Sequence, residues 1–470
     1  MNVKELVAAP VFQRIAKVAD EMNLEAYVIG GYVRDRLLNR RNPKDIDIVT
    51  VGPGIALAKA VARELKVQNV VVFKNFGTAQ LKYQQLELEF VGARKESYRR
   101  ESRKPTVEDG SLEDDQNRRD FTINALAVRL NADHFGELLD PFGGLADLEK
   151  GILRTPLQPG RTFADDPLRM LRAVRFATQL NFEIDAKTWQ ALKANAQRLE
   201  IISAERIAEE LHKIMLSPQP SQGLILLYKA GLLKQFLPEV TALAGVEEIQ
   251  GQSHKDNFYH TVQVVDNLAS RSDKLWLRYA ALFHDIGKPV TKKFVKGTGW
   301  TFHHHEFVGG KMVKAIFRRL KFPLGEPLRY VTKLVQLSSR PQAVADEQAT
   351  DSAARRLLFE AGDDIEDLML LAESDITTAN RRKKKRFLEN FQKVREKLKE
   401  VEEKDHIRNF QPPLSGQEVM ALLDVPPGPV IGTIKNAVKE AILEGEIEND
   451  PGAARDFALQ KALELGYLKE

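Results

Sequence analysis

The chain has 470 residues, 43% of them hydrophobic and 29% charged, and a formal net charge of +4. That length suits roughly three or four domains, and the lack of cysteine excludes disulfides, thiolate zinc sites and a cysteine nucleophile. No apolar run approaches the roughly 20 residues that a membrane helix needs, and the N-terminus lacks the features of a secretion signal. We therefore expect a cytoplasmic protein without a membrane partner.

The N-terminal part of the chain, from about Leu24 to Leu139, alternates strand-like and helical runs. The predicted strands are AYVIGG, DIDIVT, VVVFK, TAQLKY and LELEFVGA, and the predicted helix between two of them is GIALAKAVAREL. This alternation predicts a small α/β head, which we place in residues 1–155.

After about Phe163 nearly every segment has helical periodicity. We expect helical domains in residues 156–240, 241–380 and 381–470, so the predicted fold class is multi-domain α+β. The last of them begins with a highly charged run that predicts one long amphipathic helix. Its apolar residues recur at steps of 4 and 3: Phe387, Phe391, Val394, Leu398 and Val401.

Two aspartates, Asp45 and Asp47, lie one residue apart in the second predicted strand. Because side chains alternate between the faces of a strand, both carboxylates point the same way while Ile46 and Ile48 point into the core. Two carboxylates a few ångströms apart repel by about 1 kcal/mol in water, and a cation offsets that repulsion. Paired oxygen ligands suit Mg²⁺, which also binds substrate phosphates. The alternative is a strand end that simply faces solvent.

The neighbouring residues extend this site towards a phosphate. Gly30 and Gly31 follow an apolar strand and open a helix, so their backbone amides can approach an anion. Arg34, in the same helix, can grip a triphosphate. We expect a third carboxylate at Glu89, with Glu87 as its competitor, since both alternate with apolar residues in the last predicted strand. The alternative for either glutamate is a side chain that is simply exposed.

These residues open a series of motifs that resembles the class II tRNA nucleotidyltransferases and bacterial poly(A) polymerases, within the DNA polymerase β superfamily. GGYVRD and KDIDIVT are followed in order by RRDFTINALAV, DPFGGLADLEKG, RTFADDPLRMLRAVRFA and AERIAEELHKIM. The resemblance implies a polymerase β-like sheet in a nucleotidyltransferase head, followed by a neck that binds RNA. It also implies addition of C, C and A to tRNA 3′ ends from CTP and ATP, without a nucleic-acid template.

The same resemblance implies roles for single residues. The catalytic metal ligands would be Asp45 and Asp47. The residues that bind the nucleotide would be Gly30, Gly31, Arg34, Arg119, Asp120, Asp165, Asp166 and Arg169. A carboxylate and a guanidinium together match the hydrogen-bonding edge of cytosine or adenine. Two features leave alternatives open: Asp166 also suits a helix cap before Pro167, and Asp165 stands where the family commonly has Glu.

A second group of residues lies farther along the chain. His260, the doublet His284–Asp285 and Asp375 match the pattern of HD-domain phosphohydrolases, and His305 is the expected additional ligand. Imidazole and carboxylate ligands suit a divalent metal such as Mg²⁺, Mn²⁺ or Ni²⁺. The alternative for a single buried histidine is an ordinary core residue.

The C-terminal segment, residues 414–449, resembles the tRNA-contacting region of the family, and the run RRKKKR before it could follow an RNA backbone or be a solvated surface. Three functions follow as hypotheses. The first is CCA addition with an appended HD domain, and the second is a relative restricted to poly(A), A-only or CC-only addition. The third is an HD phosphohydrolase whose head only binds RNA, against which Asp45 and Asp47 argue.

Overall fold

The computed structural model describes residues 3–40, 44–74, 77–99, 102–249, 251–253, 255–346, 350–408, 410–411 and 413–468. The chain divides into two compact units, one formed by residues 1–217 and 222–236 and the other by residues 218–221 and 237–470. In the described part of the chain no helix is both long and apolar enough to cross a membrane.

The strands of the first unit are β1 (Glu25–Ile29), β2 (Asp45–Val51), β3 (Val70–Phe73), β4 (Thr78–Tyr83), β5 (Leu86–Gly92), β6 (Arg94–Arg99), β7 (Ser102–Asp109), β8 (Ala127–Arg129), β9 (Leu138–Leu139), β10 (Ile152–Leu153) and β11 (Glu183–Ile184). Seven of them form one sheet in the order β3-β4-β5-β2-β1-β8-β9. The first five are the strands predicted from the sequence, so that prediction is confirmed.

The helices of the first unit are α1 (Pro10–Glu21), α2 (Gly31–Leu37), α3 (Gly54–Glu64), α4 (Leu112–Asn117), α5 (Gly144–Lys150), α6 (Pro159–Asp165), α7 (Leu168–Leu180), α8 (Ala186–Asn195), α9 (Ala204–Met215), α10 (Pro220–Lys229) and α11 (Leu233–Phe236). The start of α10 belongs to the second unit. Apolar residues of α1 and α3 cover one face of the sheet and form its main core.

The paired aspartates lie on β2, at the centre of the sheet. Ile46 and Ile48 are 2% and 0% exposed and belong to the core, so the predicted alternation of faces is confirmed. Strand β2 runs antiparallel to β1 and parallel to β5. That register sets Asp47 opposite Glu89.

The start of α7 lies one residue later than the sequence suggests. The expected first helical residue, Pro167, has helical dihedral angles, but α7 begins at Leu168. The Asp166 carboxylate accepts a hydrogen bond from the Leu168 amide at 3.1 Å. Asp166 therefore satisfies one of the free amides of the helix start, as a capping residue does.

The second unit is built from helices. They are α12 (Pro238–Thr241), α13 (Asn257–Ala269), α14 (Leu275–Phe283), α15 (Lys288–Thr291), α16 (His305–Arg319), α17 (Glu326–Leu337), α18 (Arg340–Asp346), α19 (Asp351–Ala361), α20 (Ile365–Ser374), α21 (Arg381–Asp405), α22 (Gly416–Leu423), α23 (Pro429–Glu444) and α24 (Pro451–Glu464). Two short antiparallel pairs, which the sequence analysis did not predict, interrupt them: β12 (Glu248–Ile249) with β13 (Gln252–Ser253), and β14 (Lys293–Val295) with β15 (Gly299–Thr301).

Helix α21 is the long amphipathic helix predicted from the sequence. Phe391, Val394, Leu398 and Val401 are buried along one face, and this part of the prediction is confirmed. Phe387, at the start of the same stripe, is only half-buried.

Candidate active site and metal centre

Two adjacent glycines connect β1 to α2. Gly30 has φ +80°, and a Cβ atom there would lie 3.0 Å from Nη1 of Arg119 and 3.5 Å from Oδ2 of Asp47. Gly31 is the first residue of α2, and a Cβ atom there would lie 3.7 Å from Nη2 of Arg34. The missing side chain at Gly30 therefore gives Arg119 room beside Asp47.

Three carboxylates lie close together on β2 and β5. Burial raises the pKa of Asp47; Arg119 opposes this effect and the charge of Asp45 adds to it. Burial also raises the pKa of Glu89, and the charge of Asp47 adds to that rise. The competitor Glu87 pairs instead with Lys82 at 2.8 Å. A group of carboxylates that disfavour one another's ionisation is the kind of site that a divalent cation stabilises.

Arginines stand beside these carboxylates in fixed positions. Asp115 is fully buried and pairs with both Arg118 and Arg119. Burial alone would raise the pKa of Asp115, but Arg119 and Arg118 hold it below its usual value. Because one buried carboxylate anchors both guanidinium groups, Arg119 is oriented towards Asp47 before any ligand arrives.

A second chain of hydrogen bonds fixes Arg34 and Arg172. Arg34 donates to Asp35 through two bonds of 2.9 Å and to the side-chain oxygen of Asn124 at 2.6 Å. Asn124 donates to Asp120 at 2.9 Å, and Arg172 donates to the other Asp120 oxygen at 2.7 Å. Burial would raise the pKa of Asp120, but Arg172 and Asn124 lower it strongly. Asp120 thus holds other pocket residues in place.

The three residues expected to read the base occupy different positions relative to the neighbouring cavity. Arg169 is buried and donates to the Arg118 carbonyl oxygen at 2.6 Å. Arg169 and Asp166 both line the cavity described next. Asp165 lies 3.8 Å from Arg161 and does not appear among the residues that line this cavity.

These groups surround a cavity of about 710 Å³, which we call the arginine cavity. Among the sequence-predicted residues it is lined by Gly30, Gly31, Arg34, Asp45, Asp47, Arg119, Asp120, Asp166 and Arg169. Sequence reasoning missed Arg94, Arg118, Asn124, Arg172, Arg175, Phe176, Gln179 and Arg206. Arg172 and Arg175 follow Arg169 at steps of three on α7, a spacing that could have indicated them.

The second unit contains a cluster of histidines and aspartates, which we call the His–Asp cluster: His260, His284, Asp285, His305 and Asp375. Nε2 of His260 lies 2.8 Å from Oδ1 of Asp375 and 3.7 Å from Oδ2 of Asp285. Nε2 of His284 lies 3.4 Å from each of these two carboxylates, and Nε2 of His305 lies 3.5 Å from Oδ1 of Asp285. The structure therefore brings all five predicted residues together.

The chemistry of this cluster fits a divalent cation. Nδ1 of His284 donates to the Ala281 carbonyl oxygen at 2.8 Å, which leaves Nε2 as the atom that faces the carboxylates. Nε2 is buried and makes no directed hydrogen bond to any described residue. Burial would lower the pKa of His284, but Asp285 and Asp375 raise it to about 10. A field that favours positive charge this strongly, with nitrogen and oxygen ligands converging, suits a metal ion.

The cluster opens into a cavity of about 560 Å³, which we call the His–Asp pocket. Three lysines line it, and two of them contact residues of the cluster. Nζ of Lys288 lies 2.7 Å from Oδ2 of Asp285, and Nζ of Lys255 lies 2.7 Å from Nδ1 of His260. The pocket thus combines candidate metal ligands with positive charge.

Three segments of the chain match known family models. Residues 26–154 match the Poly A polymerase head domain, residues 181–243 match the probable RNA and SrmB-binding site of polymerase A, and residues 257–380 match the HD domain. The first of these segments contains both glycines of the arginine cavity and its aspartates Asp45, Asp47 and Asp120, whereas Asp166 lies outside it. The His–Asp cluster lies entirely in the third.

Two relatives match most of the chain. An A-adding tRNA nucleotidyltransferase from Deinococcus radiodurans is 36% identical over 363 residues, which cover 75% of this chain and 80% of the relative. A CC-adding tRNA nucleotidyltransferase from Thermus thermophilus is 32% identical over 439 residues, which cover 90% of this chain and 91% of the relative.

Solved structures resemble the chain as well. A tRNA nucleotidyltransferase complexed with a primer tRNA and an incoming ATP analog is 28% identical, with a TM-score of 0.57, and the match covers 81% of this chain and 98% of that one. The CCA-adding enzyme of Bacillus stearothermophilus in complex with CTP is 23% identical, with a TM-score of 0.66 and coverage of 97% and 99%. At that identity the likeness shows the fold alone, and it confirms the predicted α+β class.

Proposed function

This chain belongs to the tRNA nucleotidyltransferase family, and we propose that it adds C, C and A to tRNA 3′ ends from CTP and ATP without a template. The enzyme class, nucleotidyl transfer to tRNA, is shared by its relatives. The observation that carries the proposal is the arginine cavity, which is lined by Asp45 and Asp47 together with several arginines. A polyanionic substrate and its metal ions need both features at the same place.

Each part of the cavity has a proposed task. Asp45 and Asp47, with Glu89 opposite Asp47 on β5, would hold Mg²⁺, while the backbone at Gly30 and Gly31 and the Arg34 guanidinium would bind the triphosphate. Mg²⁺ held there would lower the pKa of the attacking 3′-hydroxyl and would offset the charge of the leaving pyrophosphate. The network through Asp120 and Asn124 keeps Arg34 and Arg172 in place, so little reorganisation accompanies substrate binding.

Base selection is assigned to the start of α7. Arg169 and Asp166 line the arginine cavity, and together they offer donors and an acceptor for the edge of cytosine or adenine. Arg169 is bound to the Arg118 carbonyl oxygen, which limits its rotation. Asp165 stays the third proposed reader on the strength of the motif alone.

The proposal is tested with tRNAs that end in the discriminator base, in C or in CC, each incubated with one nucleoside triphosphate at a time. Full CCA addition requires CTP incorporation on the first two substrates and ATP incorporation on the third. A restricted enzyme is the second candidate, because the two relatives described above are named A-adding and CC-adding. ATP incorporation on the CC end alone would replace the proposal with A-only addition. Failure to extend the CC end with ATP would replace it with CC-only addition.

We also propose a separate phosphohydrolase activity for the His–Asp cluster, with Mg²⁺, Mn²⁺ or Ni²⁺ as its metal. The support is the convergence of five side chains on one point at the wall of the His–Asp pocket: His260, His284, Asp285, His305 and Asp375. The test is metal content together with hydrolysis of 2′,3′-cyclic phosphates and p-nitrophenyl phosphate in each metal. Metal bound without hydrolysis of any ester would leave the cluster a structural role.

We further propose the division into a head (1–155), a neck (156–240), an HD domain (241–380) and a tail that contacts tRNA (381–470). Poly(A) polymerase activity is a weaker alternative. The chain has a segment that matches the HD domain, and the two relatives that match most of it are named as tRNA nucleotidyltransferases. Incubation of a non-tRNA primer with ATP alone separates the two activities.

A further inference from the structure

The tail helix α21 contributes to the wall of the His–Asp pocket. Lys383 and Phe387, from its first two turns, line the pocket together with the metal-binding candidates His284, Asp285 and Asp375. The segment matched by the HD family model ends at residue 380. The tail therefore supplies side chains that the HD segment itself does not contain.

Helix geometry explains why these two residues face the pocket. Lys383 and Phe387 are four positions apart, so they share one face of α21. Phe391 and Val394 continue that face and are buried. Phe387 continues the same apolar stripe but is only half-buried, because its ring reaches the pocket rather than the core.

The size and charge of the pocket indicate what it can bind. At about 560 Å³ it lies within the roughly 300–1,000 Å³ of sites that enclose whole organic ligands, and a phosphate group fills only a small part of it. Lys255, Lys288 and Lys383 line it, so an anion is favoured. The Phe387 ring lies 5.6 Å from Nζ of Lys383, which places a flat apolar surface next to a positive charge.

We propose that Lys383 and Phe387 form a specificity-determining subsite that binds the organic part of a phosphoester with a planar aromatic group, as in a nucleoside monophosphate. The aromatic group stacks on Phe387, and Lys383 attracts the phosphate towards the His–Asp cluster. This assignment rests on the phosphohydrolase proposed for the same pocket. It differs from that proposal in naming the part of the substrate that is recognised and the residues that recognise it.

The test is calorimetric titration of the full-length protein with adenosine 3′-monophosphate and, separately, with inorganic phosphate. Phe387→Ala should weaken nucleotide binding by about 5- to 150-fold, the range expected for loss of one base–aromatic stack, and leave phosphate binding unchanged. Phe387→Trp should preserve nucleotide binding, because tryptophan keeps an aromatic surface at this position. The tryptophan variant therefore shows whether a change at residue 387 by itself disrupts folding. Lys383→Ala should weaken both ligands. Its matched control, Lys384→Ala, changes an exposed lysine one position along the same turn and should weaken neither.

Metal content, measured in parallel, separates this proposal from the one it rests on. His284→Ala should lose the metal, whereas the Lys383 and Phe387 variants should retain it. A parent protein without metal would overturn the phosphohydrolase but not the stacking subsite. Equal nucleotide affinity in the parent and in Phe387→Ala would overturn the subsite, as would a parent that binds nucleotide no better than phosphate. Nucleotide held in the arginine cavity contributes equally to parent and variants, because Phe387 does not line that cavity.

Discussion

Replacing Gly30 with alanine should damage the arginine cavity far more than the same change at its neighbour Gly31. Gly30 has φ +80° and ψ −133°, a combination that residues with a side chain avoid. Its new methyl group would also lie 3.0 Å from Nη1 of Arg119. Arg119 cannot retreat freely, because it is paired with the buried Asp115 at 3.0 Å.

The size of the effect follows from these two penalties. A residue forced into a sparsely populated backbone region costs about 1–3 kcal/mol, and the contact with Arg119 adds to it, so we expect a loss of about 2–3 kcal/mol. For a unit of this length each kcal/mol shifts the melting temperature by about 2–4 °C. The first unit should therefore melt about 4–12 °C lower. Nucleotide addition should fall as well, since Arg119 is displaced from Asp47.

Gly31→Ala is the matched control. Its φ is not positive, and the added methyl group would meet Nη2 of Arg34 at 3.7 Å, an ordinary contact. Alanine is also favoured over glycine in a helix by up to about 1 kcal/mol, so the melting temperature should stay level or rise slightly. Scanning calorimetry resolves the two variants. Equal melting temperatures for Gly30→Ala and Gly31→Ala would refute the reasoning.

Four further predictions concern other residues. Asp45→Ala or Asp47→Ala should abolish nucleotide addition but leave tRNA binding largely intact in a filter assay, because phosphate contacts from Lys and Arg dominate affinity. Arg169→Ala should reduce discrimination against UTP and GTP by about 1–3 kcal/mol, measured as relative kcat/KM. His284→Ala should remove any bound metal and any ester hydrolysis of the His–Asp cluster while nucleotide addition to tRNA continues. Burial lowers the pKa of His212 from 6.5 to about 4, so the unfolded chain takes up the proton first as pH falls. The free energy of unfolding should therefore be fully retained above about pH 6.5 and decline towards pH 4, less steeply in His212→Asn.

Each of these predictions has an outcome that contradicts it. Near-normal turnover by the Asp47 variant would remove the metal assignment on β2. If Arg169→Ala excludes UTP and GTP as strongly as the parent does, a residue other than Arg169 reads the base. For the His–Asp cluster the control is His303→Ala, an exposed histidine two positions before His305, and loss of metal in that variant too would mean that binding is not specific. If the free energy of unfolding depends on pH in the same way in the parent and in His212→Asn, other groups cause the loss of stability at low pH.

The backbone arrangement around the head was predictable because it depends on local patterns. The alternation of Asp45, Ile46, Asp47 and Ile48 fixes which side chains enter the core. The succession of strand-like segments along the head predicts the sheet. A strand that buries every second residue must present the others together, so the pairing of the carboxylates required no knowledge of the partner strand. The neighbour of Asp47 on β5, Glu89, was named from the same alternation.

The positioning network was not predictable in the same way. Arg34 and Asn124 are hydrogen-bonded although 90 positions separate them, and no local pattern links an asparagine after β7 to an arginine in α2. The role of Asp120 could not be inferred from local patterns either. Sequence reasoning took it as a nucleotide-binding residue, whereas its two oxygens are occupied by Asn124 and Arg172. We therefore interpret Asp120 as a positioning residue of the arginine cavity.

The two candidate sites balance charge in different ways, and this difference determines how each responds to loss of its ligand. In the arginine cavity the guanidinium groups of Arg34, Arg119 and Arg172 already pair with Asp35, Asp115 and Asp120. None of these ion pairs involves the nucleotide, so we expect binding to require little ordering of the guanidinium groups. In the His–Asp cluster Lys288 pairs with Asp285, and the carboxylates of Asp285 and Asp375 also face imidazole nitrogens, which carry positive charge only when they are protonated. A bound cation would therefore supply much of the charge compensation there. Chelation should therefore change the local structure of the cluster more than removal of nucleotide changes the head.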